Sequence, residues 1–210
     1  MEAVENNLKK EPLQLVLEGL AKGMSYEQYR DLVEHLAESH QTTGPVQSEA
    51  NISYTQLGDR RMKRWDKTFK IPSDLQEKIA QLDASLEFLV LTESWCGDAA
   101  PSLPIINKFV ALNPNFDLKI VLRDENLELM DAFLTNGTRS IPKLIILDKK
   151  NNEVVGEWGP RPSIATKMVQ DFKAQHGQLT ADFKKDLQLW YNKNKGENIL
   201  EDLKNLLRLK

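Results

Sequence analysis

One cysteine, Cys96, lies in the run Ser94-Trp95-Cys96-Gly97-Asp98-Ala99, which follows the apolar stretch EFLVLT at 87–92 after Glu93 alone. The stretch reads as a short buried strand, and the residues after Gly97 read as a helix over 97–112. Trp95-Cys96-Gly97 is then a strand-to-helix turn, with Gly97 expected to let the backbone bend. That places Cys96 at a helix N-terminus, where unpaired N–H groups and the helix dipole favour the thiolate, the nucleophilic form of cysteine. Asp98 opposes them, because a neighbouring carboxylate disfavours a second negative charge. The sequence does not rank the two effects. The helix-terminal position predicts a thiol that reacts faster than an unperturbed one with pKa about 8.5. The competing reading is a small buried hydrophobe. With a single cysteine and three histidines, His35, His40 and His176, the chain offers neither an internal disulfide nor a metal-ligand cluster.

The surrounding periodicity supplies the elements that must hold this turn. A second strand is predicted over 116–123, a helix over 127–134 ended by Asn136-Gly137, a hairpin from 143–148 and 153–158, and a helix over 162–175. The order is β-α-β-α-β-β-α, an α/β pattern in which the first two strands are parallel with a right-handed crossover. Ahead of it, helices are predicted over 12–22, from Ser25 with a Ser25/Gln28 capping box, over 57–67, and near Ser73. Residues 41–53 read as a polar loop. Behind it, Phe183, Leu187 and Trp190, then Leu200, Leu203, Leu206 and Leu207, mark one or two further helices. The expected division is a helical extension at 1–84, the α/β unit at 85–176 and a C-terminal helical extension at 177–210.

WCGDA resembles the WCGPC motif of the thioredoxin family, and Pro104 stands where that family's active-site helix bends. Ser140-Ile141-Pro142 is similar to the family's cis-proline loop, and Gly159 matches the glycine that borders its substrate groove. The resemblance runs over 86–175 and implies a thioredoxin-like fold. It also implies that Trp95 walls the thiol and that Ile141 offers backbone groups to an extended substrate as its sulfur approaches Cys96. The alternative for Pro142 is a trans residue that merely opens a strand. Ala99 departs from the family, which has a second cysteine there to release the mixed disulfide. Val90 departs too, standing where many members carry a buried carboxylate.

One cysteine can still attack a disulfide if an outside thiol resolves the product, or be oxidised to a sulfenic acid and rescued. The expectation is thus a monothiol thiol-disulfide oxidoreductase acting with a protein disulfide or a small thiol such as glutathione, with no cofactor. The CGFS sequence of cluster-binding monothiol glutaredoxins is absent. A redox-silent binding module and a thiol sensor or peroxidase are the alternatives. Arg139 reads as an exposed loop charge or as a partner for a carboxylate or thiolate.

Of the 210 residues, 40% are hydrophobic and 28% charged, with a net charge of −3, as in an ordinary globule without the basic excess of a nucleic-acid binder. The cluster Arg60, Arg61, Lys63 and Arg64 reads as a solvated helix face. No apolar run approaches the ~20 residues of a membrane span. The opening MEAVENNLKKEPLQLVLEGL lacks a signal-peptide pattern, so a cytoplasmic location is expected.

Overall fold

The computed structural model describes residues 10–209; the leader reading at 1–9 lies outside them. Four strands form one sheet: β1 (Leu86–Thr92), β2 (Phe116–Leu122), β3 (Lys143–Asp148) and β4 (Glu153–Trp158), in the spatial order β2-β1-β3-β4. β1 runs parallel to β2 and antiparallel to β3, with Val90 between Ile120 and Leu144; β3 and β4 form the hairpin, irregular at Ile146/Leu147. Strands covered on both faces read as continuous apolar runs, and β1 and β3 are such strands.

Alternation along β1 assigns its faces. Phe88 lies 6.4 Å from Phe109 of α5 (Ala99–Val110), whereas Leu89 meets Gly19 of α1 (Pro12–Lys22) on the other side. α6 (Leu127–Ala132) shares the α1 face, its Leu129 touching Gly19 as well. α2 (Tyr26–Glu38) has the Ser25/Gln28 capping box, and its end of the chain is stitched to the sheet by the Met24–Ile120 bridge. α4 (Ser73–Ala80), α7 (Ser163–His176), α8 (Ala181–Asn194) and α9 (Glu197–Leu206) are further helices, and a 3-10 turn (Arg123–Glu125) follows β2. A mixed sheet flanked by helices, with helical extensions before and after, is a thioredoxin-like fold.

Two expectations shift. α3 spans Glu49–Thr68, so the predicted loop ends five residues early; the Ser48 side chain accepts the Asn51 N–H and caps the helix inside a stretch that looks merely polar. The helix after Cys96 begins at Ala99 rather than at Gly97. Among the described residues no helix is long and apolar enough to cross a membrane.

Candidate functional site

Beyond β1 the chain makes two successive tight turns: the Cys96 N–H donates to the Glu93 carbonyl (3.0 Å) and the Ala99 N–H to the Cys96 carbonyl (3.2 Å). Cys96 therefore stands just outside α5. Its thiol donates to the Ile141 carbonyl at 3.3 Å, beside an Ile141–Pro142 peptide bond that is cis. Gly159, with φ +116°, packs against the next peptide, Pro142–Lys143; a Cβ there would lie 2.1 Å from the Pro142 carbonyl oxygen. Trp95 is half-buried, with the Arg123 guanidinium 5.0 Å from its ring centre. The fold thus brings Trp95, Cys96, Asp98, Ala99, Ile141, Pro142 and Gly159 to one end of the sheet, beyond the C-terminus of β1 and the N-terminus of β3. Gly97 has no left-handed backbone, and a Cβ on it would meet nothing within 4 Å, so the bend does not demand glycine there.

The ranking that the sequence leaves open is decided by burial. Cys96 is 7% exposed, and its pKa is pushed up to about 12, by desolvation first and by Asp98 second. The backbone N–H groups of Ala99 and Asp98, with Arg161, pull the other way and lose. The expected fast-reacting thiol is therefore corrected. With α5 starting two residues later than expected, the helix end acts from farther off, while a covered thiol loses water from its charged form.

Asp98 is itself covered and held by two residues that nothing in the sequence singles out. Its Oδ2 pairs with Arg161 at 2.7 Å, and the Tyr191 hydroxyl of α8 donates to its Oδ1 at 3.1 Å. Burial raises the pKa of Asp98 despite both partners, and burial with Asp98 raises that of Tyr191. Asp98→Asn keeps an acceptor for Tyr191 and removes the charge. Its expected result is a lower Cys96 pKa, with neutral-pH alkylation by iodoacetamide faster by about tenfold for each unit of fall. A pH–rate profile unchanged from wild type would contradict the electrostatic role of Asp98.

Below the turn lies a knot of buried hydroxyls. Ser94 Oγ is 2.8 Å from Thr55 Oγ1 of α3 and 3.1 Å from Thr42 Oγ1, and it accepts the Thr43 N–H at 3.0 Å. Glu93 is fully buried; its Oε1 accepts the Asp124 N–H at 2.9 Å, and its pKa is raised, chiefly by burial. Val90 is wholly buried and apolar. Arg139 pairs with Asp131 at 2.6 Å with both side chains about half exposed, as an exposed loop charge does. Among the described residues, no group of three or more His, Cys, Asp or Glu side chains is placed to hold a metal ion.

The thioredoxin family model matches residues 44–173 of this chain, more than half its length. The chain belongs to the thioredoxin family. The match begins ahead of α3, so this thioredoxin-family chain shares with its relatives the segment that carries Thr55 as well as the sheet. No curated protein matches the sequence. Among solved structures, a protein of unknown function from Pseudomonas aeruginosa is similar at 18% identity and a TM-score of 0.50, over 76% of this chain and 85% of that one. An HIV epitope scaffold is similar at 19% identity and a TM-score of 0.49, over 71% of this chain and 79% of that one. At such identity the first speaks for the fold alone.

Proposed function

We propose that this thioredoxin-family protein is a monothiol thiol-disulfide oxidoreductase, with Cys96 as the attacking sulfur and an outside thiol such as glutathione as the resolver. The supporting observation is the contact between Cys96 Sγ and the Ile141 carbonyl at 3.3 Å, beside the cis Pro142 peptide. An extended chain pairing with the backbone at Ile141 would bring its own sulfur alongside Sγ, and the Ile141 N–H donates to no backbone carbonyl among the described residues. Trp95 and Gly159 would border that approach, and Gly97, Asp98 and Ala99 would floor it. With Ala99 in place of a second thiol, release requires an external partner. A cytoplasmic setting, where small thiols are abundant, suits this reading and is part of the proposal.

The buried thiol favours a second reading, a redox-silent module that uses the same groove for binding. With burial and Asp98 pushing its pKa up to about 12, Cys96 is overwhelmingly a neutral thiol at pH 7. Insulin reduction separates the two. The oxidoreductase should do little with a dithiol donor alone and should gain activity when glutathione is supplied, with Cys96→Ser inactive in both. Equal rates with and without glutathione contradict the resolver, and no activity under either condition favours the binding module.

A further inference from the structure

Arg161 follows the Gly159-Pro160 crossing over Pro142, and its guanidinium grips Asp98 at 2.7 Å. It also fronts an open groove of about 430 Å³ shared with Gly159, Trp158 and Asp202. The acids of this groove are already matched. Glu157 pairs with Lys143 at 2.6 Å, and Asp202 accepts from Trp158 Nε1 and from the Ser163 N–H and hydroxyl.

Arg61 approaches Asp98 from α3. Three residues earlier on that helix, Gly58 is packed against the Ser94 carbonyl, where a Cβ would come within 3.2 Å. The next turn therefore carries Arg61 toward the Cys96 turn. Its half-buried guanidinium has no hydrogen bond or ion pair among the described residues, and Asp98 lies within its electrostatic reach. The rest of that basic face is engaged or solvated. Lys63 pairs with Glu34 and Asp59, Arg64 stacks on Trp65 and bonds Asn192, and Arg60 is exposed. Arg161 is thus paired with Asp98 beside the thiol, while Arg61, one helical turn beyond Gly58, has no partner among the described residues, which leaves a surplus positive charge at a partly desolvated spot.

We propose that Arg61 and Arg161 form an anion-recognition pair, so that Cys96 exchanges preferentially with small disulfides that carry a carboxylate near the sulfur. The inference rests on the proposed exchange activity of Cys96. In the step, Cys96 yields its proton to solvent and the thiolate attacks the nearer sulfur. The substrate S–S bond breaks as the Cys96–sulfur bond forms, and the departing thiolate leaves with the electron pair and takes a proton from solvent. The bound carboxylate lies against the two guanidiniums, for which planar, doubly hydrogen-bonded contacts are natural.

The test uses a matched aliphatic series: 3,3′-dithiodipropionate (anionic), 2-hydroxyethyl disulfide (neutral) and cystamine (cationic). Each rate with the full-length protein is divided by the rate of the same disulfide with 2-mercaptoethanol at equal pH, which cancels intrinsic reactivity. The anionic compound should lead the cationic one by about tenfold at low ionic strength, the size expected for unit charges a few ångströms apart in water. The lead should shrink as salt is added. Arg61→Ala should cut the anionic-to-neutral ratio several-fold, and Arg61→Glu should invert it; because these are ratios, any change in the thiol pKa drops out. If the variants do not fold, the salt dependence of the wild-type ratio decides. Equal normalised rates for all three disulfides overturn the anion pair while leaving the exchange reading intact. If no disulfide reacts with the native protein although all react with it in urea, both fall together.

Discussion

Gly159→Ala is expected to destabilise the protein by about 3 kcal/mol or more, a loss reserved for few substitutions. Two costs add. At φ +116° an alanine is strained whatever space surrounds it. Its methyl would also lie 2.1 Å from the Pro142 oxygen, 3.2 Å from the Pro142 carbonyl carbon and 3.4 Å from Lys143 Cα. All three are backbone atoms, so no rotamer change relieves the contact. Lys143 opens β3 opposite Leu91 of β1, so relief must come from moving the central sheet or lifting the loop off Pro142. Urea unfolding of the variant gives the loss, and Gly97→Ala, with open space around its Cβ, is the matched control. A loss at Gly159 below about 1 kcal/mol would mean that the loop gives way freely.

Ala99→Cys is expected to convert the site from one thiol to a dithiol pair. The Ala99 N–H bonds the Cys96 carbonyl at 3.2 Å, so the two residues close a single turn, a spacing expected to suit the ~4.4–6.8 Å between Cα atoms that a disulfide needs. Mild oxidation should remove two hydrogens, read as a mass loss of about two daltons. Dithiol-dependent insulin reduction should then appear without glutathione, where wild type has little. The gain should be modest, because the wholly buried Val90 supplies no proton relay in the strand below. The new sulfur enters a position only 1% exposed, so slight overpacking should accompany it. Two thiols that stay reduced under mild oxidant would show that the turn does not hold them face to face.

What is legible in the sequence is local, and what it conceals is long-range. EFLVLT and KLIILD announce buried strands because no polar residue interrupts their centres, and Ser25 with Gln28 announces a helix start because a capping box is written within four residues. The turn at Cys96 is legible for the same reason. Its chemistry is not, because the deciding groups come from elsewhere. Tyr191 reaches Asp98 from 93 residues away, and nothing in its own helix marks it out from any amphipathic tyrosine. Arg161 looks like an ordinary loop charge. Glu93 adjoins a strand whose inward residues are apolar, so its complete burial runs against its type. Ser48, a cap in a polar stretch, is lost among similar neighbours.

The hydroxyl knot and the Asp98 clamp also impose an order on the chain as it leaves the ribosome. Thr42, Thr43 and Thr55 emerge well before Ser94, their partner, so the bed for the cysteine turn is available when the turn arrives. Tyr191 emerges last of these groups, 93 residues after the Asp98 it binds. Contacts of such sequence separation also form late, since chain must be gathered before they repay it. The nascent thiol is therefore bedded from one side but uncapped on the other for as long as the C-terminal helices remain in the tunnel, and synthesis itself opens an interval in which Cys96 is more reachable than it will ever be in the finished molecule.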